Sequence, residues 1–231
     1  MLDKELVCEA LSALLGKHGS IKHGINPNMS LLDYHHRFFL AHHYSDVEEE
    51  FFIDVEEFFD HRFDYDFTNM TTSPKCMRGD EPYQRPLGWY RMAVKVLDKY
   101  PDKNWLGPSG WRSESAPGEW PVSFHGTSKD GAKGIISFHY EAGERKLYGR
   151  GIYSTPVLSI ASDFSTVFKS KKNEKSYRVV MQNRINPKDR EKCNRNEYWL
   201  VRVPEKTSKE EEKRIVERSI RPYGILIKEV E

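Results

Sequence analysis

Cysteine is scarce in this chain: 231 residues contain three, Cys8, Cys76 and Cys193, far apart and with no C-x-x-C pair. That excludes a disulfide framework and offers no zinc-binding spacing, so reduced thiols in a reducing compartment, cytoplasmic or nuclear, are expected. An excess of one charge sign is also missing, since 36 Lys+Arg against 35 Asp+Glu leave a net charge of +1. A dedicated duplex-DNA binder carries a strong basic excess; only a local basic groove remains compatible with this balance. No apolar run approaches the ~18 residues of a membrane span, and no membrane partner is expected. Asp3, Lys4 and Glu5 interrupt the apolar opening segment, which makes it a poor signal peptide. Internal repeats and low-complexity tracts are absent.

What is present is charge and aromatic mass. Charged residues make up 31%, above the roughly 25% of an ordinary globular chain. The 12 Phe, 12 Tyr and 5 Trp require a core, so the charge marks a solvated surface and not disorder. The length suits one large domain, or one domain with an extension. Leu2, Leu6, Val7, Ala10, Leu11, Leu14 and Leu15 recur at helical spacing before Gly16 and Gly19, predicting a short amphipathic helix packed on the rest. Around residues 33–44 the pairs His35–His36 and His42–His43 share a helical face; packing accounts for them more simply than a metal, and no metal is expected. The acidic, Phe-punctuated stretch 45–67 reads as an amphipathic segment or a docking surface for a basic partner. Trp89, Met92, Ala93, Val96, Leu97 and Tyr100 fall at i, i+3, i+4, i+7, i+8 and i+11 behind Pro86, predicting a helix that Pro101 stops. The loop 101–121, with Trp105, Trp111 and Trp120, is expected to be ordered and to join a pocket wall.

From residue 122 the texture changes. Strands are predicted at 121–125, just after Gly149–Gly151, at 177–185, 197–203 and 221–228, with helices from Thr127 or Ser128, over 157–164, and from the Ser208–Glu211 capping box to about 219. Lys169–Lys175 reads as a solvated hairpin tip, or as a contact for nucleic-acid phosphates. Short strands with scattered helices and no βαβ alternation mean an α+β fold with a mostly antiparallel sheet.

Three segments stand out: Phe124-His125-Gly126-Thr127, Gly149-Arg150-Gly151-Ile152-Tyr153 and Asn196-Glu197-Tyr198. The first sets a polar ring beside a glycine, where main chain can approach a flat ligand. The second presents an aromatic ring from a glycine-flanked turn, and the third a carboxylate at the head of a strand. Each alone is an ordinary strand or turn feature; their joint order carries the weight.

On these motifs, residues 121–231 resemble the catalytic domain of the poly(ADP-ribose) polymerase-like ADP-ribosyltransferases. The His-Gly-Thr, Gly-x-Gly-Ile-Tyr and Asn-Glu-Tyr segments follow the family order His, Tyr, Glu, and Arg221-Pro222-Tyr223 is similar to the family's last strand. The resemblance implies a split-sheet ADP-ribosyltransferase fold over residues 111–231, behind an N-terminal helical and loop extension, 1–110, of no recognised family. It implies NAD as co-substrate. His125 would bond the adenosine ribose, Gly126 the nicotinamide carboxamide and Thr127 would lie near the ribose. Tyr153, behind Gly151, would stack on nicotinamide, and Glu197 would bind the ribose next to the scissile bond. A carboxylate suits that place because loss of nicotinamide leaves an oxocarbenium-like sugar, whose charge it stabilises.

One departure is visible. The family's carboxamide-binding serine falls on Ala161, with Ser162 beside it, and the aromatic three residues on is Phe164. Either Ser162 substitutes by a one-residue shift or nicotinamide is held less tightly. The activity implied is transfer of ADP-ribose, mono-transfer first, to a macromolecular acceptor, protein before nucleic acid. A non-catalytic NAD- or ADP-ribose-binding module and an NAD glycohydrolase are the alternatives. The sequence leaves the oligomeric state open.

Overall fold

A computed structural model of the protein describes residues 3–15, 19–21, 51–53, 55–110, 112–126, 140, 142–143 and 147–231. The His35–His43 cluster, most of the acidic 45–67 stretch, Trp111 and Thr127 lie outside the described residues or have undescribed side chains.

The fold is α+β with mostly antiparallel sheets. Helix α1 (Lys4–Leu15) precedes β1 (Gly19–Ile21), β2 (Phe51–Ile53) and a single turn α2 (Val55–Phe58). Then come β3 (Tyr65–Asp66), β4 (Cys76–Arg78), β5 (Glu81–Tyr83), β6 (Tyr90–Ala93) and β7 (Val122–His125). The remainder is β8 (Gly151–Ser154), α3 (Leu158–Asp163), β9 (Thr166–Lys169), β10 (Ser176–Ile185), β11 (Arg190–Cys193), β12 (Tyr198–Arg202), α4 (Lys209–Ser219) and β13 (Ile220–Val230). The larger sheet runs β3-β6-β13-β10-β7, with β9 also on β10, and a smaller sheet runs β11-β12-β8. β1 and β2 form a parallel pair, and β4 and β5 a hairpin. A bridge between Phe124 and Thr155 ties β7 to the end of β8 and so joins the two sheets.

β10 is the centre of the larger sheet. Its residues Val179–Ile185 are all buried, because both faces are covered. Val179, Met181 and Ile185 enter a core shared with Ile225 and Ile227 of β13, Trp199 and Val201 of β12, and Leu6, Val7, Ala10, Leu11 and Leu14 of α1. Val180 faces the other way, into a cluster with Trp89, Phe124, Leu226 and Ala161 of α3. This is the period-2 alternation of a strand buried on both sides. α1 is thus docked along its expected apolar face, and Lys172 at the β9–β10 turn pairs with its Asp3 and Glu5 at 2.6 and 2.9 Å. Lys175 pairs with Glu229 at 2.9 Å. In α4, Ser208 Oγ accepts the Glu211 N–H at 3.2 Å and Glu210–Glu212 occupy the first turn, the expected cap and dipole complement.

The helix expected over 86–100 is absent: Trp89 N–H closes a turn on Pro86 O, and Tyr90–Ala93 pair with β13 and β3. Met92, Ala93 and Val94 are consecutive and all buried, so the apolar spacing reflects a strand covered on both faces. β3 and β6, which precede residue 110, belong to the same sheet as β13 and β10. β9 and β11 were not anticipated. Trp105 is 1% exposed and leaves no face for a pocket. With Tyr100 and Trp120 it encloses the Arg221 guanidinium, 4.1, 5.1 and 4.5 Å from the Tyr100, Trp105 and Trp120 ring centres. All three cysteines are free and buried, in line with reduced thiols. No helix among the described residues is long and apolar enough to cross a membrane.

Candidate functional site

The joint between the two sheets gathers several of the singled-out residues. β7 ends at His125, directly across from Met181 of β10. The His125 ring reaches β8, where Nδ1 lies 2.6 Å from the Tyr153 carbonyl oxygen. A carbonyl only accepts, so Nδ1 carries the proton and Nε2 keeps its lone pair. Burial lowers the proton affinity of the imidazole, an effect that the Tyr153 hydrogen bond partly opposes, and the shift stays downward. The neutral form with an acceptor at Nε2 is therefore the state at neutral pH.

Gly126 follows at once, pressed against α3. A Cβ built on it would stand 1.9 Å from the Ala161 carbonyl oxygen. Gly151 is equally constrained, with a virtual Cβ 2.1 Å from Val201 O across the smaller sheet. Only glycine allows these two main-chain approaches, which are what bring β7 to α3 and β8 to β12.

Tyr153 meets His125 through its main chain; its phenol is occupied elsewhere. The hydroxyl donates to Gly149 O at 2.7 Å and accepts the Tyr148 N–H at 2.9 Å. The Tyr148 ring lies 6.5 Å from that of Tyr153 and 6.2 Å from that of Tyr198, so the three make one tilted aromatic group. Glu197 immediately precedes Tyr198, at the head of β12, the strand that pairs Trp199 with Ser154 and Leu200 with Tyr153. Its carboxylate is exposed and accepts from Asn194 Nδ2. His125 thus ends β7, Tyr153 lies within β8, and Glu197 immediately precedes β12. Contact between functional groups is direct only for the imidazole and the Tyr153 carbonyl.

The α3 residues are placed differently from one another. Ala161 is the one beside Gly126, and it is 1% exposed. Ser162 is turned to β10, where Arg178 Nη1 donates to its carbonyl and approaches its Oγ at 3.3 Å. Phe164 is 45% exposed at the end of α3. Beside Tyr153, Gly149, Arg150, Arg202 and residues 203–205 line an open cleft of about 290 Å³. Arg150 and Arg202 on its rim are neutralised by Glu212 and Glu191. Sequence reasoning did not single out Tyr140, whose ring packs edge-on to His125 at 4.9 Å; no motif marks it. Among the described residues, no three His, Cys, Asp or Glu side chains come together to hold a metal ion. No protein-family model matches the chain, and no curated protein sequence matches it.

Proposed function

We propose that this protein is an NAD-dependent ADP-ribosyltransferase of the His-Tyr-Glu type, built on a split-sheet fold. One observation carries the reading: a neutral imidazole, its Nδ1–H given to the Tyr153 carbonyl, stands at the joint of two sheets with Nε2 as an acceptor. A ribose hydroxyl is a matching donor. Gly126, close against the Ala161 carbonyl of α3, supplies a main chain that a nicotinamide carboxamide can reach. Tyr153 supplies a fixed aromatic face, and Glu197 an exposed carboxylate at the head of the adjoining strand.

In this reading the C–N bond between ribose and nicotinamide breaks with the electron pair leaving on nicotinamide. Positive charge develops on the sugar and Glu197 stabilises it. A nucleophile of a macromolecular acceptor, protein before nucleic acid, attacks the anomeric carbon and gives up its proton to water. His125 and Gly126 act by orientation. With labelled NAD, wild type is expected to label an acceptor and release nicotinamide, and Glu197→Gln to do so ~10²–10³ more slowly. Equal labelling by both would refute the role of Glu197.

A second reading, a module that binds NAD or ADP-ribose without turnover, draws on Ala161 at the serine position and on Ser162 engaged by Arg178. Calorimetric NAD binding with no nicotinamide release favours it. Nicotinamide release without a labelled acceptor identifies an NAD glycohydrolase.

A further inference from the structure

A ring held by one hydrogen bond can still turn about its Cβ–Cγ bond, because that torsion is broad and two-fold. Turning His125 over would put carbon against the Tyr153 carbonyl and carry Nε2 away from its place. Something besides Tyr153 has to restrict the imidazole. The Tyr140 ring meets it edge-on, with centres 4.9 Å apart and planes at 62°. Tyr140 is itself 3% exposed, and its hydroxyl donates to Asn183 Oδ1 at 2.5 Å. Burial raises its proton affinity far above the usual phenol range, so the hydroxyl remains a donor at any ordinary pH.

Asn183 is a costly way to fill its position. It is fully buried on β10, opposite Ser123 of β7 and on the face that Ser123 shares with His125. Among the described residues its Nδ2 has no partner, and neither has Ser123 Oγ. An orphaned buried donor weakens a fold, and an apolar side chain of similar size would avoid it. What the amide supplies that an apolar group cannot is the oxygen that ties down Tyr140.

We propose that Tyr140, anchored by Asn183, is the positioning residue for His125. Its ring keeps the imidazole in the single orientation that offers Nε2 to a ligand. The consequence for NAD rests on the functional reading above, whereas the orientation of the ring does not. Long-range ¹H–¹⁵N correlation on the full chain labelled at histidine reads the tautomer directly. The chain has nine histidines, and His125→Gln identifies the signal by its loss. Wild type is expected to show one tautomer, protonated at Nδ1. Tyr140→Leu is expected to give a mixture of both, with NAD bound about tenfold more weakly, the loss of roughly one hydrogen bond. Tyr140→Phe, which keeps the ring but frees it from Asn183, should fall between the two. His125 signals in both variants identical to wild type, with only the melting temperature lowered, would reduce Tyr140 to a core residue and overturn the proposal. Should Tyr140→Leu fail to fold, Tyr140→Phe decides by the same criterion. A tautomer shift in a protein that binds no NAD would uphold the positioning role and sink the functional reading.

Discussion

Gly126→Ala tests how the joint between β7 and α3 is built. The added Cβ would lie 1.9 Å from the Ala161 carbonyl oxygen, 2.9 Å from its carbon and 3.0 Å from the Phe164 carbonyl carbon. Ordinary contact begins near 3.4 Å, so α3 must retreat by about 1.5 Å, the difference between 3.4 and 1.9. All three obstructing atoms are main chain and cannot swing aside. The competing effect has the opposite sign. Gly126 is not among the glycines with positive φ, and at such a site alanine normally stabilises by about 0.4–1 kcal/mol by restricting the unfolded chain. Overpacking costs about 1–3 kcal/mol when side chains can adjust, and a rigid carbonyl puts this site at or above the upper end. The clash wins, with a net loss of about 2–3 kcal/mol. At about 2–4 °C per kcal/mol for a chain of this size, the melting temperature should fall by about 4–12 °C. On the proposed function, displacing α3 by more than 1 Å should also weaken NAD turnover by about 10². Thermal unfolding followed by circular dichroism, with nicotinamide release on the folded variant, measures both. A melting temperature equal to or above that of wild type would show that α3 yields freely and that the Gly126 approach constrains nothing.

Two further substitutions separate structural from ligand-binding roles. Glu119 has a fully buried carboxylate that Arg112 and Arg184 reach at 2.5 and 2.9 Å, with Arg78 at 3.7 Å. Burial alone would raise its pKa; hydrogen bonds from Arg112, the Ala116 N–H and Arg184 outweigh that and hold it below the usual 4.5. A carboxyl with a depressed folded-state pKa stabilises above its unfolded-state value and loses that contribution as pH falls through the folded one. Glu119→Gln should therefore cost about 3–5 kcal/mol at neutral pH, by stranding buried guanidinium charge, and should flatten the loss of stability into acid. Urea titrations at stepped pH measure this, and an unchanged midpoint at neutral pH would refute it. Ser162→Ala should leave NAD affinity unchanged by calorimetry, because Ser162 is engaged by Arg178 and Ala161 is the residue beside Gly126. An affinity loss of about tenfold or more would return Ser162 to the carboxamide site.

Much of the C-terminal half was legible in the sequence because its signals are local. The Ser208–Glu211 cap formed as its spacing required. The apolar, β-branched runs at 177–185 and 221–228 became β10 and β13, and Gly149–Gly151 led into β8. The error at 86–100 has a plain cause. A strand covered on both faces loses the alternation that marks a strand, and its buried residues can fall at helical spacing by accident. β6 pairs with β13 and β3 in the sheet and its Met92 enters the main core, and these sheet partners lie far from it in sequence.

The same division holds at the candidate site. The chain on its own determined which residue types stand at 125, 126, 151, 153 and 197, and that they lie in or beside strands β7, β8 and β12, since glycine turns and strand starts are written in a few neighbouring residues. That His125 meets the main chain of Tyr153 rather than its ring was decided only by the tertiary structure. So were the choice of Ala161 over Ser162 to face Gly126, and the arrival of Tyr140, unmarked by any motif, against the imidazole. Those contacts join segments 15 to 43 residues apart through sheet register and close packing, and neither leaves a trace in local sequence.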